Sequence, residues 1–295
     1  MFRAIKSSDK ADVFKISSQI WDGDDYIYGV FDEWVKADDG LFTGYWVNNK
    51  LIGFGRMRFL TPSDIWLEAL RKDPQTKIKG VGNKIAQYYI EQLKGKKIDS
   101  VRFSTYFGNI TSIKLNEKLG FKKILTLSLK ELKISNQQIK SINKAINNNI
   151  SFNKLNQYIL NSSYLKKTKN FISKGWVVYR YSNELLRTFY SAKQYAFYSE
   201  NGEIKGAILI SNTGYKDICW INYIDAENES IYKELINYAV SKALKDKCSR
   251  IQLLVPKIAK LMCFVNSYGF VSWEQENDFF LYEMPEHLIK QITGT

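Results

Sequence analysis

The chain has 295 residues, 45% hydrophobic and 25% charged, a globular composition that excludes a disordered or fibrous chain and a length that points to about two domains. Its three cysteines, Cys219, Cys248 and Cys263, show no C-x-x-C spacing and its one histidine is His287, which excludes a disulfide framework, a structural zinc site and any chemistry that needs several histidines. The net charge of +13 divides as +7 over residues 1–135 and +6 over the rest, with no basic block, so it reads as solubility and attraction for anions rather than as a nucleic-acid footprint. No signal-peptide core or membrane-length apolar run is visible, so a cytoplasmic setting with no membrane partner is expected.

Residues 2–6 read as a short strand. From Asp9, a reasonable N-cap, Val13, Ile16 and Ile20 fall on one helical face. A polar and aromatic loop, WDGDDYIYG, leads into a second helix. LFTGYWVNN and KLIGFGRMRFL read as strands joined at Asn48-Asn49, and DIWLEALRK (64–72) as a third extended segment of ambiguous type. Asp73-Pro74 ends it, because proline offers no ladder N–H. A glycine-containing loop and a helix follow, with Gly95 as a plausible C-cap. Then come a strand (DSVRFSTYF), a helix from Asn109 to Gly120, and a strand (FKKILTLSLKEL).

Residues 134–174 are rich in Asn, Ser, Lys and Ile and read as a linker carrying one or two helices. From Trp176 the earlier order partly returns: a strand, a helix, a hairpin turned at Asn201-Gly202, then strand, helix, strand, helix and a closing strand. Two copies of one fold are expected, an α/β (α+β) mixed sheet flanked by helices in each. The divisions are 1–133, a linker 134–174, and 175–295.

The segment Lys77-Ile78-Lys79-Gly80-Val81-Gly82-Asn83 lies between a strand and a helix. Glycines there let backbone amides turn inward, and the helix N-terminus adds positive potential, which suits a pyrophosphate. An ordinary strand-to-helix turn would also use glycine, and the dinucleotide-binding glycine fingerprint is incomplete.

LEALRKDPQTKIKGVGNKIA, followed by NITSIKLNEKLGFKK, resembles the two cofactor motifs of the GNAT acyltransferase superfamily over about residues 1–130. The likeness over 176–284 rests on element order and NSYGF. Lys77 stands where the family usually has Gln or Arg, and Ile78 where Gly is frequent. The resemblance implies acetyl-CoA as co-substrate, with no metal. Its pantetheine arm would pair with the strand ending at Leu70, Arg71 and Lys72, its pyrophosphate would meet the amides of Ile78 to Asn83, and Asn109 would face the pantetheine or cap its helix. WDGDDYIYGVFDEW, GRMRFL and WLEALR further resemble the histidine N-acetyltransferase-like branch, which implies a small-molecule amine acceptor such as an amino acid.

In this reading an amine attacks the thioester directly. Glu68 is the candidate general base, unless it only pairs with Arg56 or Arg58, and the Leu70 N–H could polarise the carbonyl. Asn116 occupies the place of the family's thiolate-protonating Tyr, and Tyr106 is a substitute. Arg56 and Arg58 share one strand face and could hold a carboxylate. Asp24, Asp25 and Tyr26 lie where the family places acceptor contacts, or are solvated loop residues. Trp21, Trp34, Trp46 and Trp66 read as packing. The second copy has IDAENESIY (224–232) where the glycine loop would be, with no Gly and three acids, so it is expected not to bind cofactor. A non-catalytic acyl-CoA sensor or scaffold, and an acetyltransferase of protein N-termini or lysines, are the alternatives.

Overall fold

The computed structural model describes residues 1–135, 145–212 and 217–294. Two compact units are present: residues 1–124 with 281–295, and residues 125–280.

The first unit opens with β1 (Phe2–Ala4), α1 (Lys10–Ser17) and α2 (Ile27–Lys36). Asp9 stands at the N-cap of α1 but makes no capping bond. Its carboxylate instead accepts from the Arg3 guanidinium at 2.7 and 2.8 Å and from the Lys6 N–H at 2.8 Å. Then follow β2 (Gly40–Val47), β3 (Lys50–Thr61), β4 (Asp64–Lys72), α3 (Val81–Glu91), β5 (Ser100–Tyr106) and α4 (Ile110–Lys118). The Asn48-Asn49 turn has φ of 49° and 60°, the double positive φ that matches a two-residue turn to the twist of its strands. The ambiguous segment 64–72 is a strand. β1 to β4 are antiparallel neighbours in chain order, and β4 pairs parallel with β5. Val13, Ile16, Phe31, Trp34, Phe42 and Phe54 pack into a core between α1, α2 and the sheet. α3 ends at Glu91, short of Gly95, whose N–H donates to the Thr293 carbonyl.

The second unit takes in most of β6 (Lys122–Lys133), then β7 (Ile146–Asn147), α5 (Phe152–Asn161), α6 (Ser163–Lys167), β8 (Phe171–Lys174), β9 (Val177–Arg180), α7 (Asn183–Ser191), β10 (Tyr195–Glu200), β11 (Glu203–Ser211), β12 (Ile218–Ala226), α8 (Glu229–Lys245), β13 (Arg250–Val255), α9 (Ala259–Tyr268) and β14 (Val271–Ser272). Its sheet runs β6-β13-β12-β11-β10-β7. The strand expected at 176–182 to open the second sheet forms instead, as β9, a separate hairpin with β8. Part of the expected helical linker, residues 136–144, lies outside the described residues. Both units carry the mixed sheet with flanking helices expected of tandem copies.

β15 (Phe279–Glu283) and α10 (Glu286–Thr293) end the chain. Residues 281–295, grouped with the second copy on sequence grounds, sit with the first unit. Met284 N–H donates to Val101 O at 2.9 Å. The Tyr282 ring stacks on Phe103 with centroids 5.1 Å apart, and its hydroxyl donates to Glu117 at 2.9 Å.

In the second unit, β12 and β13 are in register from Ile218↔Arg250 to Ile221↔Leu253. One residue further on, the Tyr164 hydroxyl of α6 stands 3.4 Å from the Asn222 carbonyl and 3.3 Å from the Leu254 carbonyl. Next along β12, Ser163 donates to the Asp225 carboxylate at 2.7 Å. α6 therefore occupies the place where these two strands part. Burial pushes the Tyr164 phenol pKa up, so it remains a hydrogen-bond donor.

Candidate active site

β3 and β4 pair Phe54 with Arg71 and then Arg56 with Glu68, which leaves Ala69 and Leu70 opposite Gly55 alone. This is a β-bulge, and it breaks the alternation that would otherwise fix which side chains share a face. Ala69 takes φ of 56°, a left-handed conformation uncommon outside glycine. Tyr89 of α3 pins the spot, its buried hydroxyl donating to the Gly55 carbonyl. On the other edge, β4 stays in register with β5 only from Asp64↔Ser100 to Trp66↔Arg102.

Beyond β4 lies a cleft of about 430 Å³, lined by Lys72, Thr76, Lys77, Ile78, Lys79, Gly80, Val81, Gly82, Asn83, Thr111 and Leu115. Side chains brace the approach to it. Asp73 accepts from the Gln75 N–H at 2.9 Å and pairs with Lys50 at 3.0 Å, and Thr76 accepts from the Ile78 N–H at 3.3 Å. Gly80 is the N-cap of α3 with φ of 73°, which an L side chain adopts only with strain. No side chain caps this terminus, and the first intrahelical bond is Lys84 N–H to Gly80 O. The N–H groups of Val81, Gly82 and Asn83 thus have no acceptor within the helix and point outward. Lys72, Lys77 and Lys79 are exposed around them. A Cβ on Gly82 would stand 3.3 Å from Leu115 and 3.8 Å from Leu70, so the glycine keeps open the gap between β4 and α4. Together these features fit a pyrophosphate with an extended chain behind it.

Glu68 is 12% exposed, and its Oε1 accepts from Arg56 Nη1 at 2.8 Å. Burial pushes its carboxyl above the usual carboxylate range, and the charges of Arg56 and Arg58 hold back part of that rise. Arg56 is 3% exposed. Its other end meets Asp39 at 2.5 Å, and its guanidinium lies over the Trp34 ring at 4.5 Å. Arg58 donates through Nε to Asp39 at 2.8 Å. The two arginines do share a face, but the nearest anions are Asp39 and Glu68.

Asp24 is exposed, whereas the Asp25 side chain is fully buried. Arg71 grips Asp25 through Nε and Nη2 at 3.1 and 3.2 Å and lies between Trp21 and Tyr26, 4.4 and 5.4 Å from their ring centroids. This ties the α1–α2 loop to the end of β4. Trp34, Trp46 and Trp66 are buried, while Trp21 is exposed. Asn109 caps α4, its side chain accepting from the Ser112 N–H at 3.3 Å. Asn116 is buried and gives its amide to the Ser112 carbonyl at 2.9 Å and hydroxyl at 3.3 Å, so it is engaged inside its own helix. Tyr106 is half-buried, its ring against Gly108.

The sequence reading did not include Asp39, Tyr89, Thr76, Thr111 or Leu115. A signal for Asp39 exists: the hairpin turned at Asn48-Asn49 brings Gly40 opposite Arg58, and Asp39 is the residue before it.

Residues 10–121 match the Acetyltransferase (GNAT) family. No curated protein matches the chain. Among solved structures, a chain of Thermoplasma acidophilum is 17% identical with a TM-score of 0.61, covering 96% of this chain and 98% of its own. A GCN5-related N-acetyltransferase from Sphaerobacter thermophilus is 12% identical with a TM-score of 0.66, covering 96% and 94%. A tandem GNAT protein from the clavulanic acid biosynthesis pathway is 9% identical with a TM-score of 0.59, covering 96% and 97%. These likenesses show a shared fold over the length of the chain. The family match lies on the unit that holds the glycine-loop cleft, and residues 10–121 form an N-acyltransferase domain of the GNAT acetyltransferase type.

Proposed function

We propose that the first unit binds acetyl-CoA in the cleft at the start of α3 and moves its acetyl group to the primary amine of a small molecule, with amino acids the leading class. The observation that carries the reading is the cleft itself, in which an uncapped helix terminus, three lysines and a glycine-kept gap lie beside a bulged strand bearing a buried carboxylate. Acetyl-CoA supplies an activated thioester. The amides of Lys79 to Asn83 and the side chains of Lys72, Lys77 and Lys79 hold its pyrophosphate, the Ile78 N–H being taken by Thr76, and the edge of β4 at Leu70, Arg71 and Lys72 takes the extended arm. The bulge frees the Leu70 N–H to polarise the thioester carbonyl.

Glu68 takes the proton of the attacking amine. A free α-amino group, with a pKa near 8, gives that proton up more readily than a lysine amine near 10.4. Arg56 orients Glu68 and is not the acceptor's carboxylate clamp. Asp25 holds the loop to Arg71, which leaves Asp24 and Tyr26 as the acceptor-side groups of that loop. The Asn116 amide is already bonded to Ser112, so the thiolate, with a pKa near 8.5, leaves without an acid at that position. The likeness of WDGDDY and WLEALR to the histidine N-acetyltransferase-like branch supports an amino-acid acceptor, and we place the protein in the cytoplasm. Free amino acids, polyamines and peptides screened with acetyl-CoA, with released thiol as the signal, test the reading. Exclusive activity on protein N-termini or internal lysines rejects it.

A further inference from the structure

Glu68 offers its two oxygens unequally. Oε1 accepts from Arg56 at 2.8 Å, and Oε2 accepts no hydrogen bond from the described residues. A single guanidinium contact would leave Arg56 free to swing and carry the carboxylate with it. Asp39 removes that freedom. Its Oδ1 takes the far end of Arg56 at 2.5 Å, and its Oδ2 takes Arg58 Nε at 2.8 Å. Its own backbone is fixed, because the Phe59 N–H donates to the Asp39 carbonyl at 2.7 Å. The Trp34 ring closes the remaining face of Arg56. The result is a carboxylate, a buried guanidinium and a second carboxylate in line, with both ends of the guanidinium occupied.

We propose that Asp39 is a positioning residue for the transfer, clamping Arg56 so that Arg56 holds one oxygen of Glu68 and leaves the other to receive the acceptor's proton. The inference rests on Glu68 being the base. Charge supports it as well as geometry. Burial raises the Glu68 carboxyl, Arg56 and Arg58 lower it, and Asp39 raises it again. These are the charged groups that face it, from β3 and from the α2–β2 connection. Without Asp39, two arginines would act on Glu68 unopposed and weaken it as a base.

The test is a carboxyl ¹³C NMR titration of the full chain with labelled glutamate, the Glu68 signal being the one that E68Q removes. Asp39 and Arg58 are about one-third exposed, so D39N and R58Q leave the core intact, and thermal melts check this. In D39N the Glu68 midpoint moves to lower pH, and in R58Q to higher pH. The acid limb of kcat/KM, measured with the best amine of the screen, moves in the same two directions. Midpoints unchanged in both variants overturn the role of Asp39 while leaving the base assignment standing. E68Q turning over at the wild-type rate overturns the base assignment, and the positioning role with it.

Discussion

Two glycines of the cleft should respond to alanine in opposite ways, which separates the cleft's shape from its backbone. Gly82 is the second residue of α3, and alanine is better than glycine inside a helix by about 1 kcal/mol. The new methyl would stand 3.3 Å from Leu115 Cδ2, tight, but against the movable end of a side chain. Gly82→Ala should therefore keep Tm or raise it by about 2–4 °C per kcal/mol gained. The same methyl narrows the gap between Leu70 and Leu115 that the extended arm of acetyl-CoA would use. Overpacking costs about 1–3 kcal/mol, so affinity should fall about 5- to 150-fold. Gly80 has nothing within 4 Å of its would-be Cβ but φ of +73°. Gly80→Ala should lose about 1–2 kcal/mol of stability and weaken binding less than Gly82→Ala. Calorimetric titration with acetyl-CoA and thermal melts read both quantities. Wild-type affinity in Gly82→Ala would refute the placement of the cofactor.

Glu68→Gln should lower kcat about 10²- to 10⁴-fold with acetyl-CoA affinity retained, and the deficit should shrink as pH rises toward the amine's own pKa; a rate-against-pH profile of both proteins with acceptor saturating decides, and a constant ratio would count against the base. Tyr164→Phe should leave the Asn222 and Leu254 carbonyls without their donor and cost about 1–3 kcal/mol in urea denaturation, with acetyl-CoA affinity unchanged. Hydrogen bonding to Arg3 above all, with the Lys6 N–H, holds the Asp9 carboxyl below the usual range. Its stabilisation is therefore present above the unfolded carboxylate pKa and is lost as pH falls through the folded value. Asp9→Asn should flatten the fall of Tm in acid, and a pH series of melts that matches wild type would contradict this.

Features set by a few adjacent residues were legible in the sequence. Asn48-Asn49 and Asn201-Gly202 can adopt the positive φ that hairpin turns demand, Asn109 has a side chain that reaches a helix N–H, and Gly80 is where a strand must turn into α3. Features that depend on distant pairing were not. Nothing local in FFLYEM says that Met284 will meet Val101. Pro285 with Glu286 in the first turn did announce α10, although that helix was not expected. Asp25 looks like a loop acid until Arg71, forty-six residues away, buries it. Arg56 and Arg58 look available until the hairpin register brings Asp39 alongside. The left-handed φ of Ala69 has no signature at all, because alanine does not favour it and only the bulge imposes it.

The contact between Tyr164 and the parted strands β12 and β13 bears on how the second unit could ever acquire a ligand. Grafting the 77–83 loop between β12 and α8 would supply a phosphate cradle but leave the strand gap closed, so the graft should gain inorganic phosphate and not acetyl-CoA. The two units should also differ in how ligand changes their breathing. β4 beyond Trp66 keeps β3 on one edge but has no β5 partner on the other, so those of its amides that face away from β3 should exchange more slowly with solvent deuterium once acetyl-CoA lies beside them. β12 already has α6 at its side, and its amides should exchange at one rate with or without acetyl-CoA.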